Sequence, residues 1–152
     1  MNASRRRVLF ATVSALLCVA YLVPAAAQNR DDATLQYRAN WFKCISAMQV
    51  LALRKNFNPR NPSPASVVDL NKAADRLETA VSALMAAMQP ADSVPEHVTM
   101  IPRFQEVVAA SRDMLSAAKE HDPNATEAAM LWLDEALNEA DRTLIKATQR
   151  KI

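Results

Sequence analysis

None of the 152 residues is glycine. Glycine turns a chain through positive φ without a steric cost, and tight β-hairpins and phosphate-cradling loops are built on it. A chain lacking it, and rich in Ala, Leu, Met, Glu and Lys, is suited to helices rather than to sheets. The expected fold class is therefore all-α.

Proline supplies the punctuation instead. The clusters "NFNPRNPSP" (56–64), "QPADSVPEH" (89–97) and "HDPN" (121–124) divide the chain after residue 27 into four segments of similar length. Ser63 followed by Pro64 reads as an N-cap with proline at the first helical position. Ser93-x-x-Glu96 and Asn124-x-x-Glu127 fit capping boxes. Pro102 is tolerable in a first turn only, which predicts a third helix starting near Thr99.

Each of the last three segments carries one apolar seam at spacings of three and four. The second has Val67, Leu70, Ala74, Leu77, Val81, Leu84 and Met88. The third has Ile101, Phe104, Val108, Ser111, Leu115 and Ala118. The fourth has Ala129, Leu133, Ala136, Ala140, Leu144 and Ala147. Helices of about 22 to 27 residues span roughly 33 to 40 Å. Equal lengths and short connections favour antiparallel neighbours, hence an up-down-up-down four-helix bundle over residues 28–152.

The first segment breaks the single-seam rule. One stripe is Tyr37, Trp41, Cys44, Met48, Leu51 and Ala52. A second is Leu35, Ala39, Phe42, Val50, Leu53 and Phe57, with Ser46 completing the spacing. A helix that is apolar over most of its circumference calls for burial on more than one side. The sharper expectation is a homodimer through the first helix, with Leu35, Phe42, Val50, Leu53 and Phe57 at the interface. The plainer one is that the long 56–64 connection covers the second stripe within one molecule.

Residues 1–27 read as a secretory signal peptide. Arg5, Arg6 and Arg7 form a basic start, Val8 to Val23 an apolar run, and Ala25-Ala26-Ala27 a small-residue cleavage site. The apolar run is shorter than the ~20 residues of a spanning helix, so no stable membrane anchor is expected after cleavage. This places the protein in the periplasm. Removing the three arginines turns a formal charge of +2 into −1, and no basic stripe remains for nucleic acid. Only Cys44 survives cleavage. It is read as a small buried residue, with an intermolecular disulfide as the alternative.

In layout, segments 64–152 are similar to the periplasmic four-helix-bundle cytochromes, cytochrome c-prime and the soluble b-type proteins. In them, too, a helix leads through a proline-bearing loop into two antiparallel helices, the last with a basic end, here "ATQRKI". The resemblance implies a bundle. The haem ligands do not carry over. Covalent attachment requires Cys-x-x-Cys-His, whereas Cys44 is followed by Ile45, Ser46 and Ala47. Met48 could supply an axial methionine, but the last helix has no histidine. No cofactor is expected.

Other chemistry is thin. Di-iron bundles use Glu-x-x-His, and here Glu96-His97 and Glu120-His121 are adjacent pairs. The acidic fourth helix, with Glu127, Asp134, Glu135, Glu139 and Asp141, reads as a solvated face, and His121 as a residue near the carbonyl end of the third helix. One ligand set stands out. Met85, His97 and Met100 bring thioether and imidazole donors to one connection, which suits Cu(I). Met88, in the core seam, could join only by leaving it.

The sequence thus points to a non-catalytic, exported binding or envelope-stress protein, acting as a homodimer toward an envelope partner. The alternative is a small-ligand or Cu(I) carrier.

Overall fold

The computed structural model describes residues 31–54, 57–87 and 96–149. The leader read over residues 1–27, Met88 and the Ser93 cap lie outside the described residues, as do the side chains of His97 and Ala147. Among the described residues the chain forms four helices and no strand: α1 (Asp31–Leu53), α2 (Pro64–Ala86), α3 (Glu96–Lys119) and α4 (Pro123–Gln149).

The helix boundaries follow local chemistry. Ser63, in extended backbone, accepts a hydrogen bond through Oγ from the Ser66 N–H at 3.2 Å, and Pro64 opens α2. Two boundaries differ from expectation. α3 begins at Glu96 rather than near Thr99 and carries Pro102 in its interior. Pro102 and Val98, whose carbonyl loses its donor, are both exposed, while Met100 and Phe104 are fully buried. Packing therefore carries the helix across one missing hydrogen bond. α4 is capped by Asp122 rather than Asn124. Asp122 Oδ1 accepts from the Asn124 and Ala125 N–H groups at 3.0 and 2.9 Å, and Pro123 takes the first helical position. Glu127 pairs with Arg60 at 2.7 Å instead of closing a capping box.

Lacking glycine, the chain places two other residues in left-handed backbone: Arg54 at φ 37° and His121 at φ 56°. His121 closes α3. Its N–H donates to the Ala118 carbonyl at 3.4 Å, and the Asp122 N–H to the Ala117 carbonyl at 3.2 Å. This is a Schellman ending, so carbonyls left over at the end of α3 gain donors through the backbone. The His121 side chain itself is exposed.

The core collects the expected seams. Leu70, Ala74, Leu77, Val81 and Leu84 of α2 are buried, as are Leu133, Ala136, Ala140 and Leu144 of α4. α3 is buried over a wider arc than its seam predicts. Met100, Val107, Ala110 and Met114 are fully buried beside Phe104 and Leu115. The reason is position: α3 packs against both α2 and α4. The buried Ser111 hydroxyl is satisfied by donating to the Val108 carbonyl at 2.8 Å. α1 packs chiefly on α2 and approaches α3 and α4 at few points. One of these is an edge-to-face contact between Trp41 and Phe104, with centroids 5.4 Å apart. Outside the core, Arg112 of α3 grips α2 by donating to Asp75 at 2.6 Å, Glu78 at 2.5 Å and Asn71 at 3.1 Å.

Candidate functional site

α1 divides into two apolar faces with different fates. Tyr37, Trp41, Cys44, Met48 and Leu51 enter the core. The second stripe stays outside. Leu35 is 59% exposed, Val50 43% and Leu53 44%, Ala39 and Ser46 are exposed, and Phe42 is half-buried. Phe57, past the end of the helix, packs against the core. At 100° per residue the exposed members lie within an arc about 80° wide. Its borders are Lys43 and Gln36 on one side and Gln49 and Arg38 on the other.

The electrostatics of this face are one-sided. Between Thr34 and Arg54 the charged residues are Arg38, Lys43 and Arg54, with no carboxylate. Lys43 donates to Asn40 at 3.3 Å. Arg54 reaches α4, where Nη2 lies 2.7 Å from Asp134 Oδ1. Its Nη1 is buried without a hydrogen-bond partner among the described residues. Arg60, in the connection that follows, is paired with Glu127 one helical turn before Leu131. Two ion pairs thus bind the end of α1 and its connection to α4 on either side of Leu131, which is 69% exposed. Exposed Leu53, next to Arg54, and Leu131, three residues before Asp134, therefore belong to one face. The sequence singles out Leu131 only as a residue off its seam. The signal for its role was the flanking pattern Glu127, Asp134, Glu135.

The methionine and histidine set is divided by burial. Met100 is fully buried, whereas Met85 is 58% exposed and its sulfur accepts a 3.4 Å hydrogen bond from Gln105 Nε2. A copper ion held by both thioethers would require Met100 to leave the core. His97 falls in the first turn of α3, and its side chain lies outside the described residues. Among the described residues no three His, Cys, Asp or Glu side chains gather to hold a metal. Met48, the candidate axial methionine, is fully buried in the core.

Cys44 is fully buried, and burial pushes its thiol up to about 12. A protonated thiol is neither nucleophile nor metal ligand. In the native fold it is also closed to an intermolecular disulfide.

A shallow cleft of about 280 Å³ lies between α3 and α4, lined by Arg103, Glu106, Trp132, Glu135, Ala136 and Glu139. Arg103 is engaged by Glu106 at 2.8 Å, and Arg142 stands 3.6 Å from Glu139. Pairing of this kind on a solvated surface neutralises the carboxylates locally and leaves none at a raised pKa for acid–base work.

No known protein family, curated protein or solved structure matches this chain. No helix among the described residues is long and apolar enough to cross a membrane.

Proposed function

We propose that this protein acts by binding rather than by catalysis. In this reading it is an exported periplasmic binding or envelope-stress protein, built as an up-down-up-down antiparallel bundle and working as a homodimer through α1. The observation that carries it is the exposed stripe of Leu35, Val50 and Leu53 on a helix whose opposite side already fills the core. Apolar stripes with polar borders mark interaction sites. Four helices of 23 to 27 residues, each packed on its neighbour in sequence, support the antiparallel arrangement. The proline-bracketed leader supports export.

Sedimentation of the exported protein tests the dimer, with Leu35→Glu as the variant because Leu35 is the most exposed member of the stripe. A dimer at micromolar concentration, weakened at least tenfold by Leu35→Glu, is the expected result, since burying an unpaired carboxylate in an interface opposes association. A monomer at tens of micromolar overturns the dimer.

A further inference from the structure

The exposed face that joins α1 to α4 is polarised. Its α1 half carries Leu35, Phe42, Val50 and Leu53 beside Arg38 and Lys43, with no carboxylate between residues 34 and 54. Its α4 half carries Leu131 beside Glu127, Asp134 and Glu135, which on a helix lie one turn before it or after it. The Arg54–Asp134 and Arg60–Glu127 ion pairs, both 2.7 Å, bring the halves together. α1 otherwise approaches α4 at few points, so the two exposed rows run along the sides of an open seam.

We infer that the occupant of this face is a second copy of the chain, bound reciprocally. The α1 stripe of each copy lies on the Leu131 row of the other's α4. The inference rests on the dimer reading above and names the surface that receives α1. Charge complementarity decides between the two ways a two-fold axis can use the face. Pairing α1 with α1 in antiparallel register centres the contact near residue 44. That sets Lys43 against its own symmetry mate, with no acidic residue in either stripe to neutralise it. Like charges brought together this way oppose association. Pairing α1 with α4 sets apolar against apolar and Arg38 and Lys43 against Glu135 and its neighbours. A two-fold axis makes this contact twice. Glu135 is exposed and is in no ion pair among the described residues, so it is open to a partner's cation.

The test uses the full exported chain with Lys43→Glu and Glu135→Lys, both at exposed positions outside the core. In the reciprocal dimer each single variant carries two like-charge contacts. Each should lose at least tenfold in self-association by sedimentation. Mixing the two variants gives a heterodimer with two unlike contacts. In one, the carboxylate introduced on α1 faces the ammonium introduced on α4; the other is wild type. The mixture should therefore recover affinity within about threefold of wild type, and high salt should shrink all three differences. Pairing of α1 with α1 gives another pattern. Glu135→Lys then changes nothing, and Lys43→Glu associates more tightly with wild type than with itself. That result overturns the inference and leaves the dimer standing. A monomeric wild-type chain overturns both.

Discussion

Cys44 gives the sharpest quantitative test of the packing. Its sulfur is fully buried on α1, among the side chains that face α2 and α3, and burial raises the thiol from 9.0 to about 12. At pH 8 a thiol at 9.0 is about one-tenth ionised, whereas one at 12 is about one ten-thousandth ionised. Thiolate is the species that reacts with iodoacetamide, so the native protein should alkylate about a thousandfold more slowly than the chain unfolded in guanidinium. Mass spectrometry of timed aliquots reads both rates. A second measurement follows from the same shift. The native state holds the proton where the unfolded chain has lost it. The associated stability is complete below pH 9 and declines as pH rises from about 9 toward 12. The slope is at most ~1.4 kcal/mol per pH unit. Urea unfolding of wild type and Cys44→Ala across that range isolates the contribution, because the other titrating groups are common to both. Native alkylation within tenfold of the unfolded rate, with α1 intact by circular dichroism, would refute the placement of Cys44. So would equal slopes in the two proteins.

Further expectations concern ends, pairs and pH. Asp134→Ala should destabilise the fold more than Arg54→Met in urea titrations. The first strands a mostly buried guanidinium that already has one unpaired nitrogen, by roughly 1–3 kcal/mol, whereas the second removes that polar group altogether. Asp122→Ala removes the acceptor for two N–H groups at the start of α4 and should cost about 1–2 kcal/mol, read as a lower Tm. His121→Gly should be neutral or raise stability by up to about 1 kcal/mol in urea titrations, because left-handed backbone strains a side chain by roughly that much more than glycine's extra entropy costs. Asp141 sits half-buried on α4, and desolvation holds its carboxyl above the usual 3.8. Its folded-state preference is for the proton, so the favourable contribution exists at low pH and is lost as pH rises through the raised value. Asp141→Asn should accordingly raise Tm at pH 7 and change it little at pH 3, by calorimetry.

The seams of α2 and α4 were legible because each of those helices buries one stripe, and a stripe at spacings of three and four survives in sequence. α3 was only half legible. Met100, Val107 and Met114 look like ordinary flank residues until α3 is found between α2 and α4. The end of α3 and the start of α4 show a different limit. Asp122 serves both helices, and nothing in a pattern match separates an Asp-Pro cap from the overlapping Asn124-x-x-Glu127 box. Met85 and Met100 looked equivalent as donors, since spacing carries no information on which sulfur is buried. The α1 face was visible as a second stripe, but its acidic counterpart was not. Glu127, Asp134 and Glu135 gain meaning only when Arg54 and Arg60 tie α4 to α1.

The sequence by itself determined that the chain is helical, where proline cuts it and which residues on α2 and α4 seek the core. Those follow from local rules: absent glycine, proline's locked φ and the 3.6-residue period. Tertiary structure alone decided which of the two stripes on α1 is buried, that Cys44 is sealed, and that a positive row on α1 lies beside a negative row on α4. Such outcomes depend on which helix a face meets, and that is set by packing across residues distant in the chain.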